Sequence, residues 1–139
     1  MNANNYGHWD TRLVGQFEPR DYLYFTYRIT FDNGDQYIGV KKLWRSVDRT
    51  PSSYKRRNDF KPSDWLKYKS SSNACKQRCE DETPEYLILE LFTSKAPAIV
   101  SELLLTIDSK QQGQHLLNES IYLPQIPLST IKPIKPKPK

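Results

Sequence analysis

The chain has 139 residues, 37% of them hydrophobic and 12% aromatic, which argues for one domain with a thin core. A net charge of +5 and an isoelectric point near 9.2 suit a polyanionic partner, and the same balance also serves plain solubility. Residues 1–10 lack the basic flank and apolar run of a secretory signal, and no stretch approaches the ~20 apolar residues of a membrane span, so a soluble, cytoplasmic chain with no membrane partner is expected.

Residues 1–21 are polar and irregular around Tyr6, Trp9 and Phe17, and read as an arm that can pack on the domain formed by residues 22–123. Tyr22–Phe31 is aromatic and β-branched, a strand signature. Asp32-Asn33-Gly34-Asp35 follows, where Asn-Gly supplies the positive φ angles of a tight hairpin, and Gln36–Val40 is the returning strand. This arrangement sets Tyr27 and Tyr37 facing each other. Residues 41–62 form a basic, aromatic loop or partly ordered lobe. Ser63 suits the N-cap of a short helix through Tyr68, and a second helix starts in Ser70–Ser72 and runs to about Asp81. Cys75 and Cys79 share a face of that helix; no second Cys or His pair stands at ligand spacing, so they read as reduced structural thiols.

Tyr86–Phe92 is a third, apolar strand. Ser94 stands at the cap of a helix over Lys95–Ser109, with Pro97 in the first turn and Ile99, Val100, Leu103, Leu104 and Ile107 as its apolar stripe. Gly113 ends the turn after it. The tail 124–139 holds five prolines alternating with Lys132, Lys135, Lys137 and Lys139, and is expected to be extended and mobile, with a basic end able to touch phosphates. The order predicts an α+β fold: a small three-stranded, mainly antiparallel sheet flanked by helices.

The hairpin carries the chemistry. Tyr27-Arg28-Ile29 and Tyr37-Ile38-Gly39 lie ten residues apart around the turn. Downstream come Val40-Lys41-Lys42, Asp64-Trp65, Tyr68-Lys69-Ser70-Ser71-Ser72, Glu102 and Asn118. This ordered set, over roughly residues 22–120, resembles the GIY-YIG nuclease family. The second motif is intact, while Phe25-Thr26 stand where the family has Gly-Ile. Tyr68 to Ser72 looks like the Tyr-x-[Gly/Ser]-Ser variant common in phage members. The resemblance implies a GIY-YIG-like fold and a phage-encoded endonuclease that hydrolyses DNA with Mg²⁺ (or Mn²⁺). It makes Tyr27 and Tyr37 the groups that orient or deprotonate water, Glu102 the metal-binding carboxylate, and Gly39, Tyr68 and Asn118 site residues. The family also uses an arginine on a helix after the second motif. No residue fits that place cleanly; Arg45, Lys41 and Lys42 are the candidate cations. A lysine is a point charge and does not replace a bidentate guanidinium in kind.

Local readings stay open beside these. Tyr27 and Tyr37 also make an ordinary cross-strand aromatic pair, worth roughly 0.2–1 kcal/mol. Glu102 falls about 60° from Ile99, at the border of the apolar stripe, where a solvated carboxylate also sits. Asn118 suits a cap or turn, and Ser70–Ser72 a helix start. Lys55, Arg56 and Arg57, with Tyr54 and Phe60, suit either a solvated loop or a nucleic-acid contact combining phosphates with base stacking, to which Ser71 and Ser72 would add. Two alternatives to the endonuclease follow: a binding module of the same fold that does not cut, and a phage structural or host-interaction protein using the hairpin as scaffold.

Overall fold

Side-chain alternation along the first hairpin divides the molecule into two layers. In the computed structural model, which describes residues 5–118, β1 (Tyr24–Thr30) and β2 (Gln36–Lys42) pair antiparallel, and β3 (Glu85–Phe92) pairs antiparallel with β1, giving the order β2-β1-β3. Odd-numbered residues of β1 point to one face: Phe25, Tyr27 and Ile29 join Tyr37, Tyr86, Ile88, Trp9, Trp65, Cys75 and Cys79 in an aromatic core. The helix α1 (Asn73–Asp81) lies on that side. Residues of the opposite parity, including Thr26, Ile38 and Leu87, face α2 (Lys95–Gln111), which buries Ala98, Leu103 and Thr106. The predicted α+β sandwich of a small antiparallel sheet between helices is therefore the observed architecture. No helix among the described residues is long and apolar enough to cross a membrane. The tail 124–139 and Glu119 lie outside the described residues.

The register corrects one expectation. Tyr27 stands opposite Gly39 and Tyr37 opposite Ile29, so the two tyrosines are diagonal neighbours on one face, with ring centroids 6.3 Å apart, rather than direct partners. The cause is the turn. Phe31 N–H donates to Asp35 O, Gly34 N–H donates to Phe31 O, and among the turn residues Gly34 alone takes a positive φ, +94°. This three-residue loop, 32–34, sets Phe31 opposite Asp35 and hence Tyr27 opposite Gly39; a two-residue Asn-Gly loop would set Tyr27 opposite Val40, so neither turn pairs the two tyrosines directly. Opposite Thr26 and Tyr27 the β3 register slips from Glu90 to Ile88, leaving Leu89 as a bulge.

Three further details differ from the sequence-based expectations. Ser63 starts no helix; its hydroxyl donates to Lys42 O, and only a 3₁₀ turn, Trp65–Lys67, forms before Tyr68. Ser94 stands at the α2 N-cap position, but its side chain makes no capping bond. In the α2 stripe, Val100 and Leu104 are exposed, because the helix turns Ala98, Leu103 and Thr106 to the sheet. By contrast α1 begins where the serines indicate, with Ser72 Oγ accepting from Cys75 N–H, and both cysteines are free and buried.

Each sheet edge is covered over part of its length. The N-terminal segment packs on the domain: Trp9 lies 5.1 Å from Phe25 and 5.2 Å from Tyr27, its indole N–H donates to Trp65 O, and Asp10 pairs with Leu87 on the outer edge of β3. On the outer edge of β2, Leu116 pairs with Gln36 and Leu117 N–H donates to Gln36 O.

Candidate active site

Tyr27 is fully buried, and its ring lies across Gly39 on the neighbouring strand. A Cβ at Gly39 would overlap the Tyr27 hydroxyl and the ring carbons beside it. The glycine of the second motif is thus required by the tyrosine of the first. Since β2 is the edge strand, this bare position lets the Tyr27 hydroxyl reach the rim of the sheet.

Two more phenols gather there. Tyr37 shares a hydrogen bond of 3.1 Å with Ser71 Oγ, and the Tyr68 ring meets Tyr27 edge-on at 6.0 Å. Burial raises all three hydroxyls above the ordinary phenol value. Tyr27 is raised furthest, and is raised again by Tyr68 and Tyr37; for Tyr37 and Tyr68 hydrogen bonding to Ser71 opposes the burial. All three therefore keep their protons at neutral pH and act as hydrogen-bonding groups.

Glu102 arrives from the other layer. It sits half-buried on α2, burial raises its carboxyl above the usual range, and its charge raises both Tyr27 and Tyr37. Glu102 on the helix side therefore lies within electrostatic range of the two phenols on the other face. Asn118 closes the β2 edge: its Oδ1 accepts from Ile38 N–H at 3.1 Å and its Nδ2 donates to Ile38 O at 2.7 Å. The side-chain amide thus pairs like one more strand residue, beside Gly39, and neither caps a helix nor holds a turn.

Lys41 is the cation at this cluster. Its Nζ lies 3.9 Å from the Tyr68 ring centroid and 2.6 Å from Asp64 Oδ1. Strand alternation puts Lys41 on the face of Tyr37 and Gly39, and Lys42 on the α2 face. Arg45 is exposed at the base of the 43–63 lobe, where its N–H donates to Lys61 O. Lys55, Arg56 and Arg57 are exposed at the far end of that lobe. Ser71 is engaged with Tyr37 and Ser72 with the start of α1.

Two residues of the ordered set have roles that the sequence does not announce. Asp64 holds Lys41, and nothing local announces an ion pair between residues so far apart in the chain. Ser70 is fully buried with φ at +110°, and its Oγ accepts from Ser72 N–H at 2.9 Å. A left-handed residue between Tyr68 and Ser71 explains why glycine alternates with serine at that place of the motif.

Residues 9–121 match the family model described as "Putative endonuclease segE, GIY-YIG domain". The chain belongs to the GIY-YIG family. Neither a curated protein nor a solved structure matches it. Within the family the chain departs at two places. Phe25 and Thr26, where Gly-Ile is usual, are both fully buried. Among the described residues no α-helix directly follows β2, so no helix there presents an arginine to the cluster.

Whether the residues fit a divalent cation is answered by their chemistry. Among the described residues no group of three His, Cys, Asp or Glu side chains converges, which leaves no all-protein cage. Mg²⁺ is often held by one or two carboxylates, with water and substrate phosphates supplying the remaining ligands. Glu102, half-buried and accepting no side-chain hydrogen bond from the described residues, fits that mode.

Proposed function

We propose that the chain is a Mg²⁺-dependent endonuclease that hydrolyses DNA phosphodiester bonds at the β2 rim. What supports this reading is the packing of Tyr27 on Gly39 beside Tyr37 in a GIY-YIG family member, with Glu102 in electrostatic range of both phenols.

Hydrolysis needs an oriented water, positive charge at the phosphate and help for the leaving oxygen. Tyr37 is the water-orienting group, because its hydroxyl reaches the exposed Ser71 whereas Tyr27 is sealed behind it. Tyr27, itself met edge-on by Tyr68, backs the Tyr37 ring, and Asn118 fixes the strand that bears it. Lys41 neutralises the phosphate in place of the family's arginine. Glu102 would hold Mg²⁺, which supplies charge stabilisation for the phosphate and the leaving oxygen when bound.

The test is plasmid nicking with Mg²⁺, comparing the wild type with Glu102→Ala. Cleavage by the wild type and none by the variant is expected. Equal cleavage by both removes Glu102 as the ligand, and no cleavage by either on varied substrates removes the enzyme reading. The engagement of Lys41 by Asp64 favours a second reading, a DNA-binding module that does not cut. It predicts salt-sensitive binding that survives loss of Glu102, with no nicking.

A further inference from the structure

The lobe between Leu43 and Ser63 is held at its base like a strand pair. Arg45 N–H donates to Lys61 O, Ser63 N–H donates to Leu43 O, and Trp44 bridges Pro62. Both ends of the lobe meet the candidate site, since Lys41 precedes it and Asp64, which pairs with Lys41, follows it. It carries six basic residues against two acidic ones, most of the excess charge of a chain whose net charge is +5.

Inside the lobe the arginines and aromatic rings form a ladder. Arg49 lies over Tyr54 at 4.1 Å, Arg57 over Tyr54 at 5.9 Å and over Phe60 at 5.2 Å, and Arg20 over Phe60 at 5.4 Å. Tyr54 and Phe60 touch at 5.3 Å, and Phe60 meets Trp44 at 6.3 Å. Each of the two rings already has two guanidinium groups over it. The rings are therefore engaged as supports for the guanidinium groups. Arg57 Nε is committed to Asp59 at 3.0 Å, which leaves its two terminal nitrogens to a ligand. A guanidinium parked on a ring has surrendered side-chain freedom before any ligand arrives, and so gives up less on binding.

We infer that Arg20, Arg49 and Arg57, held in place by Tyr54 and Phe60, form a preordered clamp for the phosphate backbone of duplex DNA, independent of base sequence. The inference rests on the nuclease reading and specifies how that site takes its substrate. The clamp holds the duplex by its backbone beside the rim where Tyr37 and Lys41 lie. Such a grip gives affinity and register without sequence information.

The test is binding of the full chain to a short duplex in EDTA, which removes cleavage, over a range of salt concentrations. The triple variant Arg20→Gln, Arg49→Gln, Arg57→Gln is compared with an equal loss of charge on exposed helix positions, Lys76→Gln, Lys95→Gln, Lys110→Gln. Each phosphate that the protein ceases to neutralise lowers the log–log salt slope by about 0.9. The lobe triple is expected to lower the slope by between about two and three units and, at moderate salt, to weaken affinity more than about tenfold. The helix triple is expected to keep most of both. A third variant, Tyr54→Leu with Phe60→Leu, keeps every charge; it is expected to weaken binding several-fold while the thermal midpoint of the domain holds. Indistinguishable behaviour of the two charge triples overturns the clamp, as does a wild-type chain that binds no duplex at low salt. Hydrolysis of a small phosphodiester by the wild type with Mg²⁺ separates that outcome from failure of the nuclease reading itself.

Discussion

Single residues at the rim have jobs that local chemistry explains. Gly39 is bare because Tyr27 lies on it. Gly39→Ala is expected to cost about 1–3 kcal/mol by overpacking. In combination with Tyr27→Leu the cost should fall, since the clash disappears; additive losses in a chemical denaturation cycle would show that the two residues do not touch. Ser70 is held left-handed and its hydroxyl secures the Ser72 amide. Ser70→Gly gains backbone freedom while losing that bond, so thermal unfolding should place it within about 1 kcal/mol of the wild type, with Ser70→Val clearly below it. Burial raises the Tyr37 hydroxyl. If Tyr37 loses its proton during the reaction, the cleavage rate should climb with pH without reaching a plateau below about 10, the ordinary phenol value, and Tyr37→Phe should flatten that climb. A wild-type plateau near neutrality would remove Tyr37 as the ionising group.

At the scale of elements, the hairpin turn is tied to α1 by charge. Arg78 donates to Asp35 Oδ2 at 2.7 Å and to Glu82, and lies over the Phe31 ring at 4.1 Å. Arg78, Asn33 and His115 together hold the Asp35 carboxyl down to about 2. The value is depressed in the folded state, so this stabilisation is present above the ordinary carboxylate range, near 4, and is lost as pH falls from there towards 2. Thermal midpoints of wild type and Asp35→Asn should therefore differ at pH 6 and converge on acidification through that window. A difference that is constant with pH would mean that Asp35 acts through something other than its charge.

The elements also show what a sequence can announce. Apolar and β-branched runs mark all three strands, and Ser72 and Pro97 mark two helix starts, because these signals are local. The diagonal placement of Tyr27 and Tyr37 is hidden, since register depends on which turn residues take positive φ, and only Gly34 does. Apolar spacing predicts too broad a stripe on α2. It identifies a helix, while the sheet decides that Ala98 and Thr106 rather than Val100 and Leu104 are covered. The candidate site is legible as an ordered series of residues. Its distribution over two layers beside an edge strand is not, because no sequence period encodes that Glu102 on the helix side comes within electrostatic range of phenols on the other face.

The whole molecule is two thin cores divided by one sheet, and they should respond differently to substitution. Leu103 is buried between α2 and the sheet, whereas Leu104 is exposed beside Pro97 and Val100 around a surface cavity of about 430 Å³. Leu103→Ala is expected to cost about 2–5 kcal/mol, and Leu104→Gln less than about 0.5 kcal/mol, in urea unfolding. Comparable losses would mean that the exposed side of α2 is covered in solution. Above all, groups from both layers should act as one site across β2. Single-turnover nicking of a supercoiled plasmid with Mg²⁺ decides this, using wild type, Tyr37→Phe, Glu102→Gln and the double variant. Residues that act as a unit lose activity non-additively. Each single change is expected to cost at least about 100-fold, and the double to fall no more than about tenfold below the worse single. Losses that multiply, or Glu102→Gln nicking as fast as the wild type, would contradict a shared site.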